Sequence, residues 1–326
     1  MSAGLPPSSR YKELRGDAEV VAKIEAKGNT AVGTHRPICV TEILGVLDPK
    51  PSGVHVDATL GFGGHAQAFL QRVVPGGVVI GLDADSDELK RTHARLQPMY
   101  GDAIQCVHSN YAALASVVLD RVPGGADSVL ADLGCSSMQL DGERGFSFKR
   151  DQPLDMRLDT TRGAPAYERF DGWRADALEA ILRDNADEPR SAELAAALVA
   201  AHARSPLRTT LQLARAVREA LPRSLSEEEG VDTCRRVFQA VRIAVNDEFS
   251  KLDALLFSLP LVLRPGARAA VLTFHSGEDR RVKKSFKLNA AAGVYSYVSD
   301  VIRPSWEEQR ANSRSRCAKL RWVQRA

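Results

Sequence analysis

Hydrophobic positions between Val40 and Val323 fall into two alternating patterns, short continuous runs and runs spaced three and four apart. Val40, Ile43, Leu44 and Leu47 predict an amphipathic helix that stops before Pro49. Val54, Val56 and Ala58 then mark a strand, cut off by Gly61, Gly63 and Gly64 and followed by a helical face at Ala66, Phe69, Leu70 and Val73. Pro75-Gly76-Gly77 ends that helix. Val78 to Leu82 is uninterrupted apolar chain, as expected of a parallel strand buried on both faces, and it finishes at Asp83. A helix through Leu89 and Leu96, a strand over Ile104–Val107, a helix over Leu114–Leu119 and a strand over Ser128–Leu133 continue the series.

The alternation breaks there. From Met138 to about Arg235 no run reads as a strand. The first part, LDGERGFSFKRDQPLDMRLD, is irregular and polar, and a stretch of that length is usually functional or disordered. Phe146, Phe148, Leu154 and Met156 among its charges argue for order. Three helical stripes follow, at Leu178/Ile181/Leu182, Leu194/Leu198/Ala201 and Leu213/Val217/Leu221, the last opened by a Thr209-x-x-Gln212 capping box. Phe238, Val241, Val245, Phe249, Leu252 and Leu256 predict one long helix. Pro265-Gly266 turns into a fifth strand at Ala269–Phe274, and Tyr295–Val301 with Lys319–Val323 supply a last, antiparallel pair. The fold expected is α/β: a Rossmann-like, doubly wound, mostly parallel sheet with a helical insertion after strand four. Its parts are an amino-terminal extension over 1–34, a main domain over 35–139 and 236–326, and the insertion over 140–235.

Composition narrows the function only partly. At 326 residues, 44% hydrophobic and 26% charged, the chain is an ordinary globular protein, and no apolar run approaches the ~20 residues of a membrane span. The five cysteines are scattered, odd in number and form no C-x-x-C pair, which argues for a reducing compartment and against a zinc ribbon or a disulfide framework, and no metal is expected. Residues 1–34 lack the apolar centre of a secretory signal, and Glu13, Asp17, Glu19 and Glu25 weaken a transit-peptide reading; one short helix is expected there. Net charge is only +3, yet Arg280–Lys287 holds five bases and Val301–Ala326 seven bases against two acids. Such a basic carboxy-terminal surface suits a polyanion, although solvated basic faces are common.

The strand–glycine turn–helix at Val54–His65 is how an α/β protein brings backbone N–H groups to a nucleotide-like ligand. Asp83, twenty residues after Gly63 at a strand end, is placed to accept from both hydroxyls of a ribose; a helix N-cap is its competing role. The turn alone leaves both NAD and S-adenosyl-L-methionine open, since Ala66 is tolerated at the third position of G-x-G-x-x-G. Asp57, close to a cationic ligand, and Asp132, at the end of strand four, favour the sulfonium cofactor. No residue set for hydride transfer stands out.

VDATLGFGGH, GLDAD, DLGCSSMQLD, RGFSF, PLDMRLD, RVFQAVRIAVNDE, FHSGEDRRVK and RPSWEEQRANSRSRCAKLR, in this order from His35 to Arg325, resemble the MraW-type family. These are S-adenosyl-L-methionine-dependent methyltransferases acting on the N4 amine of a cytosine in small-subunit ribosomal RNA, near the decoding centre. The resemblance implies cofactor contacts at Gly63, Gly64, His65, Asp83, Asp132 and Gln139, and at Tyr111, where the family usually has Phe. Gly277, Leu158 and Asn185–Pro189 depart from the commoner pattern but leave those positions untouched. Asp132 is the candidate catalytic group; Ser136, Ser137 and His275 are secondary candidates with structural alternatives. Arg280, Arg281, Lys283, Lys284, Arg314, Arg316 and Lys319 are the bases expected to meet phosphates, and Phe146 or Phe148 a base. The partner implied is small-subunit ribosomal RNA or a 30S-type particle, with a homodimer left open. The compartment implied is the cytoplasm, or a chloroplast or mitochondrion for a eukaryotic source. Methyl transfer to another amine, an NAD-dependent oxidoreductase and a silent ribosome-assembly factor are the competing readings.

Overall fold

A computed structural model describes residues 37–135, 139–140 and 142–326. The amino-terminal extension, the start of the body at His35, Ser136 and Ser137 lie outside the described residues.

Helix α1 (Val40–Leu47) leads into β1 (Val54–Asp57), α2 (Gly64–Val73), β2 (Val78–Asp83), α3 (Ser86–Tyr100), β3 (Ile104–His108), α4 (Leu114–Arg121) and β4 (Ala126–Asp132). Helices α5 (Ala166–Gly172), α6 (Ala175–Ala186), α7 (Ser191–Arg204), α8 (Thr210–Ala220) and α9 (Glu227–Asn246) follow, and then α10 (Glu248–Val262). The chain closes with β5 (Leu263–Thr273), α11 (Ser276–Ala291), β6 (Tyr295–Val298), the short α12 (Trp306–Ala311) and β7 (Lys319–Arg325).

Seven strands form one sheet in the order β3-β2-β1-β4-β5-β7-β6. The first five are parallel, and β7 runs antiparallel to both β5 and β6, as the expected closing pair. Strand residues alternate between two cores. Val56, Ile80, Leu82, Val129, Ala131, Ala269 and Val271 face a layer that includes Leu114, Leu256, Val282 and Phe286. Val79, Leu130, Ala270 and Leu272 face the other, with Ile43, Phe69, Leu70 and Leu96. Burial on both faces explains why the strands are continuously apolar in sequence rather than alternating.

The described residues divide into two compact units, the first running to Gly134 and resuming over Leu252–Ala326, the second running from Cys135 to Lys251. The sequence boundary placed at 235/236 instead falls inside α9, whose buried Cys234, Val237, Phe238 and Val241 belong to the core of the second unit. That unit is helical, with the Thr209–Gln212 capping box formed at the start of α8. Phe146 is buried, and Phe148 packs edge-on against Phe238 at 5.1 Å between centroids.

Two elements differ from the sequence reading. The single helix expected over Phe238–Leu256 is α9 and α10, separated by Asp247 in a left-handed conformation at φ 50°. Just before this break, Asn246 accepts from the Leu158 N–H and donates to the Met156 carbonyl, tying the helix end to the irregular stretch. Strand β5 also begins earlier, at Leu263 rather than Ala269, because Leu263 pairs with Ala126 ahead of an irregularity that holds Pro265-Gly266.

Candidate active site

In an open α/β sheet, ligands collect outside the carboxyl ends of the strands where strand order reverses. That point lies between β1 and β4. Asp57, Asp83 and Asp132 end β1, β2 and β4 at this edge, and the glycine turn leaves β1 beside them.

The turn is braced from behind by α3. Thr92 Oγ1 donates to the Gly61 carbonyl at 2.5 Å, and Arg95 donates to the Phe62 carbonyl and to Gln67 Oε1 while lying over the Phe62 ring. Gly63, the cap residue of α2, has φ 77°, and a Cβ there would come within 2.7 Å of Thr92 Cγ2. With two carbonyls of the turn held on the α3 side, close backbone approach requires glycine at this position.

Asp83 completes the turn. Its Oδ2 accepts the Gly61 N–H at 2.6 Å and its Oδ1 the Asp85 N–H at 2.7 Å. The helix cap that competed for Asp83 belongs to Asp85, whose side chain accepts from the N–H groups of Asp87 and Glu88. Asp83 therefore joins the turn to the strand end and keeps lone pairs for further donors. Burial raises its pKa to about 6 against those two hydrogen bonds, with the Asp85 charge adding to the rise.

Asp57 is wholly buried, and its pKa rises to about 7, first through desolvation, with the Asp83 charge contributing and hydrogen bonds from Thr59 opposing. Thr59 links two of the acids, since its N–H donates to Asp57 Oδ1 at 3.1 Å and its Oγ1 accepts the Asp132 N–H at 2.7 Å. Asp132 is raised well above the usual carboxylate range by burial and then by the charges of Asp57 and Glu278. Its Oδ1 is buried with no hydrogen-bond partner among the described residues, and its Oδ2 lies 3.6 Å from His65 Nδ1. The other ring nitrogen of His65 lies 3.0 Å from the Ile38 carbonyl. One strand edge thus gathers several mutually repelling carboxylates in a desolvated place. That arrangement is costly unless a cationic ligand or a proton neutralises it.

Tyr111 opens a short 3-10 turn after β3 and packs on the core. Gln139 is buried in the second unit. His275 is the cap of α11, its Nδ1 accepting the Glu278 N–H at 3.4 Å, which favours its structural role.

Among the bases expected to meet phosphates, Arg280, Lys283, Lys284, Arg314 and Arg316 are exposed. Arg281 pairs with Asp253 at 2.6 Å. Lys319 is tied to Asp279 at 3.0 Å, with Arg321 on the other oxygen of the same carboxylate at 2.7 Å. That three-way pairing, like the Thr59 link and the brace from Thr92 and Arg95, joins residues remote in sequence and leaves no local pattern to read.

The model of the MraW methylase family matches residues 33–326. Ribosomal RNA small subunit methyltransferase H 2 of Alkaliphilus metalliredigens is 45% identical over 97% of this chain and 93% of its own length. Ribosomal RNA small subunit methyltransferase H 1 of Lachnoclostridium phytofermentans is 44% identical over 97% of this chain and 89% of its own. Ribosomal RNA small subunit methyltransferase H of Symbiobacterium thermophilum is 40% identical over 89% of this chain and 96% of its own. With the glycine turn and the acids of β1, β2 and β4 in place, this chain belongs to the MraW methylase family and is an S-adenosyl-L-methionine-dependent methyltransferase.

Proposed function

We propose that this protein methylates the N4 amine of a cytosine in 16S-type ribosomal RNA, at a position near the decoding centre, in the cytoplasm. The observation that carries the reading is the group of desolvated carboxylates beside the glycine turn, on a chain that matches methylases of the small-subunit RNA over nearly its whole length. S-adenosyl-L-methionine fits this donor set, because its positive charge offsets the repulsion among Asp57, Asp83 and Asp132, and Asp132 Oδ1 has no donor among the described residues. Gly63, Gly64, His65, Asp83, Tyr111, Asp132 and Gln139 are the residues proposed to hold it. When bound, the cofactor supplies an electrophilic methyl on sulfur.

What remains for the chain's own side chains is orientation and charge. A cytosine amine is a poor nucleophile because its lone pair is delocalised into the ring. Asp132 is the proposed acceptor for an N–H of that amine, fixing its direction and stabilising positive charge as it develops on nitrogen. Proximity of this kind contributes ~7–11 kcal/mol, so a strong base is not required. The direct test is methylation of small-subunit particles by the purified protein with labelled cofactor, followed by mass mapping of the RNA. Label on another nucleotide, on protein or nowhere would sink the reading, the last of these favouring a silent assembly factor. Sedimentation of the free protein reads the homodimer that the sequence left open.

The raised pKa values give a signature that separates charge from shape. At low pH protonated Asp57 and Asp83 lose their attraction for a cation, and it returns as Asp83 ionises through about 6 and Asp57 through about 7. Affinity for S-adenosylmethionine should therefore rise between pH 5.5 and 8 more steeply than affinity for S-adenosylhomocysteine, whose sulfur is neutral. Parallel titrations by calorimetry measure it; parallel pH profiles for both ligands would refute it.

For RNA, Lys283→Glu with Lys284→Glu reverses charge on an exposed stretch of α11. Because such contacts act through counterion release, binding of small-subunit RNA should weaken and its salt dependence flatten by about two phosphates, with cofactor affinity kept. Unchanged binding across a salt series would remove this helix from the interface.

A further inference from the structure

The closing basic segment contains one feature that the cofactor and phosphate roles leave unused. Trp306 opens α12 with 64% of its surface exposed. The guanidinium of Arg310 lies 4.5 Å from its ring centroid. Arg303, Arg314 and Arg316 flank it in sequence and are all exposed. A lone exposed tryptophan is ordinary. One backed by a cation, in a segment with three further arginines against two acids, has the make-up of a stacking platform of the kind that holds unpaired nucleic acid.

The position of α12 matters as much as its composition. Ser305 caps the helix, and Glu308, two residues after Trp306, accepts the Cys39 N–H at 2.9 Å. Cys39 follows Ile38, whose carbonyl lies 3.0 Å from His65, and the same His65 faces Asp132. The Cys39 thiol is close enough to feel the charges of both Glu308 and Asp132, which add to the effect of burial in raising its pKa. A short chain of direct contacts thus ties the helix bearing Trp306 to the catalytic carboxylate, all within one compact unit.

We propose that Trp306 and Arg310 form a stacking platform for an unpaired nucleotide of the RNA substrate, next to the cytosine that is methylated. The inference rests on the RNA-methyltransferase reading above and specifies how the acceptor strand is held. A target base must leave its helix or occupy a single-stranded region to reach the cofactor, so its neighbours are unstacked and expose their faces. The indole offers them a flat apolar partner, and Arg310, Arg303, Arg314 and Arg316 supply the charge for the adjoining phosphates. A docked protein is disfavoured as the occupant because the apolar area is one side chain, far below what a stable protein interface buries, and the segment carries four arginines against Glu307 and Glu308.

The test uses the full-length enzyme and a small-subunit RNA fragment containing the methylated site. Trp306→Ala should weaken binding of the fragment roughly tenfold or more, the scale of one lost base–aromatic stack. Trp306→Phe, which keeps a π face, should recover most of the loss. Cofactor affinity and the rate at saturating RNA should stay within about twofold in both, so the effect appears in KM; a structural defect would instead lower thermal stability and cofactor affinity together. Equal fragment affinity in wild type and Trp306→Ala overturns the platform while leaving the methyltransferase reading intact. So does a Trp306→Ala defect confined to self-association in sedimentation. A wild-type enzyme that neither binds nor methylates the fragment overturns both.

Discussion

Asp83→Asn should reduce affinity for S-adenosylhomocysteine by about 100-fold with the fold intact. In the wild type each carboxylate oxygen accepts a backbone N–H, Gly61 on one side and Asp85 on the other. A carboxamide has a single acceptor oxygen, so whichever way it turns, its NH2 group meets one of those N–H groups. An unsatisfied buried donor of this kind costs roughly 1–3 kcal/mol, and here the strain falls on the turn that must approach the ligand closely. The substitution also halves the capacity to accept ribose hydroxyls. Asp85→Asn is the matching control. Asp85 caps α3 through the N–H groups of Asp87 and Glu88, and asparagine caps as well as aspartate, so affinity and stability should barely move. Calorimetric titration of the two variants decides the matter. Asp83→Asn binding within threefold of wild type would assign Asp83 a structural role only.

That comparison also shows where the sequence was informative. Asp83 and Asp85 stand in the same short motif, GLDAD, and the spacing from Gly63 marked a ribose acid and a helix cap as competing roles for one residue. The structure gives the two roles to two residues. The sheet was legible because strands buried on both faces must be apolar throughout, and the glycine turn because few residues adopt its backbone. The break at Asp247 was hidden for the opposite reason. Val241, Val245, Phe249 and Leu252 keep a helical spacing through it, and a left-handed aspartate carries none of the glycine signal that usually marks a helix end. The same limit applies to Lys319, which reads as a free base until Asp279, forty positions earlier, is folded against it. Glu308 and Cys39, separated by 269 positions, are a more extreme case. Local periodicity reports what each element buries, whereas these links depend on which elements the sheet order makes neighbours.

Asp132→Asn should lower single-turnover methylation by about 10²–10³-fold, the scale seen when one preorganised electrostatic group is lost from an active site, while making the ligand-free protein more stable. Both effects have one origin. Asp132 sits beside Asp57 and Glu278, which together with burial push its pKa far upward, and its Oδ1 has no donor among the described residues. Carrying a charge there costs the fold, because burial first and then the charges of Asp57 and Glu278 disfavour the ionised carboxylate. Because its folded pKa lies above the unfolded value of 3.8, its contribution to stability is present below that value and is lost as pH rises through the folded pKa. The neutral amide lacks this loss, so the excess thermal stability of Asp132→Asn over wild type should grow as pH rises from the unfolded value of 3.8 toward the raised folded pKa. Backbone placement is preserved, since the Asp132 N–H donates to Thr59 Oγ1 whatever the side chain carries. The amide keeps the shape of the carboxylate but gives up the negative charge that attracts a sulfonium and stabilises a methylated amine. Affinity for S-adenosylmethionine should fall accordingly, and affinity for the neutral product should change little. A variant that is both less active and more stable is the mark of a residue kept for its chemistry at the expense of the fold. Loss of stability together with loss of product binding would make Asp132 a structural acid, and wild-type turnover would remove it from the reaction.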